Sequence, residues 1–523
     1  MINLKRSISM MAALLLTACT TVGPDFEKPE APLSSTWNEA TSERVSTDST
    51  ESKTWWLVFK DPVLNELVSL AYRQNLPLQI AGLRILEARA QLGIAVGGQY
   101  PQSQQAFGDA IYIENSENLG AVPPGFDTTF TNYSLGFDAA WELDFWGKFR
   151  RGIESADASF LASIADYDDV LVSLTSEVAR AYATMRTFEE RLTISRENVD
   201  IQEQSVNIAD ARFKFGSTTE LDTKQAQTLL YSTLATVPDL QASIRQTRNA
   251  IGVLLGITPD QVDAIVGGAG AIPKVPEEVT VGIPAELLRR RPDIRQAELA
   301  AVAQSALIGV AQSGLYPSFA LLGTIGVAAS NSSASASNAL FESDAVFFQG
   351  GPSFSWNIFN YGRIKNEVRV QDARYQQSLV NYQDTVLRGI REAEDAMTGF
   401  LRTGEQIRYL RNGVEAAQRA VEIALLQYQE GAADYTRVLN TQESLFREQE
   451  REVNARGVLV GNLVALYKAL GGGWQIRMGN ELIPAATKEQ MLQRTNWGHL
   501  LETHHDPAQA SEQEKSSRRK VAW

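Results

Sequence analysis

Residues 132–144 read NYSLGFDAAWELD, and residues 346–358 read VFFQGGPSFSWNI. In the first stretch Tyr133, Leu135, Phe137, Ala139, Trp141 and Leu143 are apolar, with Asn132, Ser134, Gly136, Asp138, Glu142 and Asp144 between them. A period of two marks a β-strand with one apolar and one polar face. The run exceeds the roughly 9–11 residues that a tilted strand needs to cross a bilayer. In the second stretch Phe348, Phe354, Trp356 and Ile358 share one face, and Gln349, Ser353, Ser355 and Asn357 share the other. Weaker alternation over about 104–114 and 318–330 supplies a hairpin partner for each. The loops, 115–131 and 331–344, are rich in Asn, Ser, Gly or Pro and face solvent. A soluble sandwich with one wet face fits the same alternation.

The two stretches belong to one unit written twice. Gly93-Ile94-Ala95 recurs as Gly309-Val310-Ala311, and Tyr100-Pro101 as Tyr316-Pro317, an offset of 216. Trp141, Gly147, Tyr167, Gly216 and Gly256 recur 215 residues on as Trp356, Gly362, Tyr382, Gly431 and Gly471. After each hairpin comes a heptad stripe. Ile164, Leu171, Val178, Met185, Leu192, Val199, Val206 and Phe213 step by seven, as do Leu379, Val386, Ala393, Phe400, Ile407, Val414, Val421 and Tyr428. Sustained sevens mean left-handed, coiled-coil-like packing. No proline interrupts 147–216 or 362–431, so each stretch supports a helix of about 100 Å. Gly216 and Gly431 supply the positive-φ residue that ends each helix, and the chain turns back. Pro238 is expected to kink the first return helix.

Composition excludes much. The chain has 523 residues and a net charge of −14, which disfavours nucleic acid as a partner. It has one Cys and 3 His, the latter being His499, His504 and His505. That excludes a disulfide framework, a zinc site or a His-based triad in the body. No motif suggests an enzyme, a cofactor or a metal. A mean hydropathy of −0.19 excludes a helical multi-span membrane protein, though not a β-barrel. Two hairpins give four strands. Four strands cannot close a barrel, and lipid does not tolerate open edges, so membrane insertion requires oligomerisation.

At the N-terminus Lys5 and Arg6 precede a short apolar run, Met10 to Leu16, and then Leu16-Thr17-Ala18-Cys19. The run is too short for a spanning helix and reads as a secretory signal. The four residues resemble the bacterial lipoprotein box, which makes Cys19 the lipidated first residue of the mature protein. Thr20, rather than Asp, after the Cys points in such lipoproteins to the outer membrane.

Several motifs then carry a family resemblance. Gly23-Pro24-Asp25-Phe26 with Pro29, Trp55-Trp56 with Phe59, Asp61-Pro62 and Leu64, and Arg291-Pro292-Asp293-Ile294-Arg295 with Ala297-Glu298 are similar to the markers of TolC-type outer-membrane factors. Ile283-Pro284 and Leu287-Leu288 extend the last. The chain resembles in particular the lipidated, NodT-like branch that serves resistance–nodulation–division (RND) efflux pumps. The resemblance covers nearly everything from Cys19 to Trp474. It implies a mixed α and β membrane channel: a homotrimer whose twelve strands, four per chain, form an outer-membrane β-barrel continued by a long periplasmic α-helical barrel. Its implied partners are a periplasmic adaptor, an inner-membrane RND transporter and outer-membrane lipid. The exit duct of a type I protein-secretion system and a non-conducting periplasm-spanning lipoprotein are the alternatives.

The expected organisation is a signal peptide at 1–18, an anchor and equatorial segment at 19–57, repeat 1 at 58–256 with hairpin 103–144, and a linker at 257–282. Repeat 2 follows at 283–471 with hairpin 318–359, then an equatorial segment and polar tail at 472–523, expected to be mostly disordered from about Lys488. Tyr133, Leu135, Phe137, Trp141, Phe354 and Ile358 are expected to face lipid. The tunnel's inner end is expected at Gly216–Gln225 and Gly431–Asn440. Relatives place acids at the sixth and ninth positions after the second glycine, where this chain has Arg437 and Asn440. Its acids are instead Asp434, which also suits a helix N-terminus, and Asp222. Asp222 and Arg437 are expected to pair across neighbouring hairpins, with Thr436 and Asn440 lining the constriction.

Overall fold

The computed structural model describes residues 21–30, 35–46, 53–116, 127–282, 284, 290–332 and 340–501. The expected signal segment 1–18, Cys19, Ile283, Leu287, Leu288, His504, His505 and Trp523 lie outside the described residues.

Among the described residues both repeats run in the same order of helix, two strands, long helix and return helix, and repeat 1 has one further helix in front. In the first, α1 (Pro62–Gln74) and α2 (Leu76–Gly97) lead to β2 (Ser103–Glu114), β3 (Thr129–Leu143), α3 (Lys148–Lys214) and α4 (Glu220–Leu255). In the second, α6 (Pro292–Ser313) leads to β5 (Ser318–Ser330), β6 (Val346–Ser355), α7 (Arg363–Gln429) and α8 (Tyr435–Ala469). The short α5 (Pro259–Val266) follows α4, and α9 (Ala485–Arg494) follows α8. A two-residue strand β1 (Val45–Ser46) pairs in parallel with β4 (Val279–Thr280).

The long helices α3 and α7 each have 67 residues, close to 100 Å at 1.5 Å per residue. Each ends the same way. Gly216 and Gly431 have φ of 71° and 76°, and the next amides, Ser217 and Ala432, reach back to the carbonyls of Arg212 and Gln427 at 2.8 Å. This six-to-one bond around a left-handed glycine satisfies carbonyls that the helix end leaves without partners. Gly256 and Gly471 end the return helices identically, with φ of 68° and 69°. Helix α4 runs on through Pro238.

The chain divides into two compact units that do not follow the repeats; each draws on both. Unit 1 comprises residues 1–29, 87–162 and 297–382. Its centre is a four-stranded antiparallel sheet in the order β2-β3-β5-β6, so β2 and β6 are unpaired edges among the described residues. The N-terminal segment packs against the start of α3 and against α6. A Cβ on Gly23 would lie 2.4 Å from the Gly309 Cα, so the two backbones meet only because both residues lack a side chain. The buried Arg151 guanidinium clamps this segment, donating to the Val22 and Gly23 carbonyls and to the Asp25 carboxylate at 2.7 Å.

Two boundaries differ from the sequence expectation. Thr129–Thr131 extend strand β3 rather than closing the loop. Strand β6 stops at Ser355, so Ile358 lies beyond the sheet. Ser355 pairs with Ser318, the first residue of β5, and Pro317 before it has no N–H to offer a ladder. The chain instead turns, with the Ile358 amide donating to the Trp356 carbonyl.

Unit 2 comprises residues 30–86, 163–296 and 383–523. Trp55 and Trp56 are buried in a 3-10 turn, and Trp55 stacks on Tyr467 with ring centroids 5.4 Å apart. Asp61 caps α1 by accepting from the Val63 and Leu64 amides, Pro62 takes the first helical position, and the Tyr182 hydroxyl donates to the same carboxylate at 2.8 Å. Buried Arg291 forks onto Asp293 and also donates to Glu392 and the Ala469 carbonyl. Burial opposes its charge, but the two carboxylates outweigh that and hold the guanidinium above its usual value. Arg477 grips buried Asp168 through two bonds, tying the segment after α8 to α3. Past Lys488, α9 and a 3-10 turn at Gly498–Leu501 bury Met491 and Leu501, and the rest of the tail, 502–523, lies outside the described residues. These two apolar anchors sit in a stretch of mostly polar composition.

Candidate functional site

Two surfaces hold the expected functional residues. The first is the sheet of unit 1. Register places Phe137 beside Ala106 and Ile325, Leu135 beside Gly108 and Val327, Tyr133 beside Ala110 and Ala329, and Trp141 beside Leu321. Phe348 and Phe354 of β6 continue the same face. Phe137, Phe348 and Phe354 are 67%, 75% and 71% exposed, and together they form an apolar patch of the kind that marks a partner or lipid surface. Trp141 and Trp356 mark one end, each donating its indole N–H to a backbone carbonyl, of Gln99 and Leu315. Aromatic rings with one satisfied polar tip suit a membrane boundary.

The opposite face is polar. Ser134 donates to Asp109, Thr324 donates to Asp138 at 2.7 Å, and Gln105 reaches the same carboxylate at 3.5 Å. None of the four strands contains a Lys or Arg. A sheet with an exposed apolar face, a polar face and two open edges is incomplete as it stands.

The second surface is the pair of helix turns of unit 2. The expected pairing of Asp222 with Arg437 is not formed within the chain. Asp222 accepts from the Thr218 hydroxyl on its own turn and, at 3.1 Å, from the Tyr428 hydroxyl at the end of α7. Arg437 points elsewhere; its guanidinium reaches Gln427 at 3.5 Å. Within the chain the Asp222 carboxylate is turned toward Tyr428, which is fixed in a buried cluster with Tyr435, Ala209, Ala226, Ala424 and Val438, while Arg437 lies on the exposed face of α8. Burial, and then the Asp222 charge, push the Tyr428 hydroxyl up to about 12. Arg212 closes the other side, donating to the Tyr428 carbonyl and lying 4.6 Å over the Tyr428 ring. Asp434 caps α8, accepting from the Arg437 amide at 3.2 Å. Thr436, Arg437 and Asn440 share the exposed face of α8, opposite buried Tyr435 and Val438.

Sequence reasoning missed Tyr428, Arg212 and Thr218. Tyr428 was counted only as the last apolar step of its stripe. The one available signal was a phenol where the equivalent residue of repeat 1 is Phe213.

The family profile of outer membrane efflux proteins matches residues 67–257 and 283–472, one match per repeat. The chain belongs to that family. This outer membrane efflux protein is 29% identical over 464 residues to the cation efflux system protein CusC of Escherichia coli O6:H1, covering 88% of this chain and 97% of that protein. It is 29% identical over 471 residues to the probable outer membrane lipoprotein SilC of Salmonella typhimurium, covering 89% and 98%. The structure of the outer-membrane channel OprN is similar with a TM-score of 0.81 at 32% identity, over 87% of this chain and 99% of that one. The efflux protein's bent-back helix pairs and four-stranded sheet are therefore the channel fold.

Proposed function

We propose that three copies of this outer membrane efflux protein assemble with β2 of one sheet against β6 of the next, closing a twelve-stranded barrel. The carrying observation is the sheet itself: an exposed aromatic face on one side, a polar face on the other and two unpaired edges. Closure satisfies the edges, puts the aromatic face in lipid and leaves a wet lumen. The long helices then extend the barrel as a periplasmic tunnel. A lipid on Cys19 adds a second anchor. The channel conducts passively, and its work is coupled through a periplasmic adaptor to an inner-membrane RND transporter that selects the cargo.

The helix turns form the tunnel's inner end, with Thr436, Arg437 and Asn440 toward the constriction. The Asp222–Tyr428–Arg212 contacts tie the hairpin of one repeat to that of the other and hold this end shut. Planar-bilayer recording tests both statements. The purified protein is expected to form trimers with defined unitary conductance, and Tyr428→Phe, which keeps the ring but loses the bond to Asp222, is expected to raise it. A hydrogen bond to a charged group contributes about 1.5–3 kcal/mol, and three copies act together. Monomers without conductance would sink the channel reading; an unchanged Tyr428→Phe conductance would remove the lock.

A further inference from the structure

The polar face also carries apolar side chains, Ile111 and Leu322 among them, and one row of it holds two aromatic rings. Across the four strands, register aligns Phe107, Gly136, Gly326 and Phe347. The glycines leave room that the phenylalanines fill: a Cβ on Gly136 would meet the Phe107 ring at 2.8 Å, and one on Gly326 the Phe347 ring at 3.0 Å. Both rings are half-buried, whereas Phe137, Phe348 and Phe354 on the other face stand out from it. Phe107 and Phe347 therefore lie down across the sheet, each leaving one ring face to the lumen. The neighbouring rows carry carboxylates. Two residues along in one direction stand Asp109, Ser134 and Ala328; in the other stand Gln105, Asp138, Thr324 and Gln349. No base in the four strands neutralises Asp109 or Asp138.

We infer that this row is a transit site for amphiphilic aromatic cations inside the barrel, separate from the inner end. A flat apolar cargo stacks on the phenylalanine faces, and its positive charge is held by the ring quadrupoles and the flanking carboxylates. The weak, multiple contacts let cargo leave as readily as it enters, which conduction requires. Packing of rings over strand glycines also stabilises a sheet, so the test needs a readout that stability does not move. The inference rests on the barrel reading above, and the test separates the two.

Ala328 lies on the lumen face in the Asp109 row, and Ala329, the partner of Tyr133, lies on the lipid face. Cys19 is the chain's only cysteine, so the parent protein is the blank for introduced thiols. Whole cells carrying Ala328→Cys or Ala329→Cys are treated from outside with membrane-impermeant methanethiosulfonates, one cationic and one anionic. Ala328→Cys is expected to react, about tenfold or more faster with the cationic reagent, and Ala329→Cys to resist both. Tetraphenylphosphonium is expected to slow labelling at Ala328→Cys several-fold, and the isosteric anion tetraphenylborate to leave it unchanged. Adding Phe107→Leu and Phe347→Leu, which still cover the glycines, is expected to abolish that protection while trimer yield stays the same. No labelling at Ala328→Cys in assembled trimer overturns the barrel reading and the site with it. Labelling that is insensitive to tetraphenylphosphonium, or protection that survives the two leucines, overturns the site alone.

Discussion

Asp169 shows what a single half-buried charge does to this protein. Burial, and then the nearby Asp293 carboxylate, raise its acid from the usual range to about 6. The folded chain thus binds a proton that the unfolded chain has already released. Stability contributed by protonated Asp169 is present below the unfolded value and falls as pH rises from about 4 to 6; above that the penalty of the ionised form is constant. Asp169→Asn is expected to raise stability by ~2 kcal/mol at pH 7 and to flatten the melting temperature between pH 4 and 6. An unaltered pH profile would show that Asp169 is solvated. The same scale explains what was missed at the helix turns. Asp222 and Arg437 are opposite charges near each other in sequence alignment of the repeats, but a phenol from the other hairpin reaches the carboxylate. Which of several partners a side chain meets depends on packing over the 206 residues separating Asp222 from Tyr428.

Elements were far more legible, because their signals are local and periodic. Seven-residue stripes free of proline located both long helices, and four glycines 215 apart in pairs marked where the chain turns back. Strand faces followed from alternation. Strand ends did not, since they depend on the partner: β6 stops where Pro317 ends the ladder, leaving Ile358 outside. The face assignment makes a sharp prediction. Arg at mid-membrane on the lipid face costs about 2–4 kcal/mol, and on the lumen face little. Leu135→Arg is expected to cut trimer yield on a native gel while Ser134→Arg leaves it near that of the parent. Equal losses from both would instead describe a soluble sandwich.

At the scale of the molecule, the Gly-Pro-Asp-Phe segment runs directly from the proposed lipid site into a clamp at Arg151. The proposed anchor gives a second hold on the membrane beside the proposed barrel. Cys19→Ser is expected to abolish incorporation of radioactive fatty acid and to leave the precursor unprocessed, with trimers still forming. Fatty-acid labelling that persists in Cys19→Ser would place the lipid elsewhere.

By itself the sequence determined the repeat, the element types and the turn positions. Each is written in spacing, composition or a residue's own conformational limits, which act over a few bonds. Tertiary structure alone decided that each compact unit draws on both repeats, that the Tyr428 hydroxyl reaches Asp222, and that Phe107 and Phe347 lie across Gly136 and Gly326. Those outcomes turn on which surfaces meet after the chain has folded back. Contact there is set by volume and register between residues distant in sequence, and no local pattern encodes it.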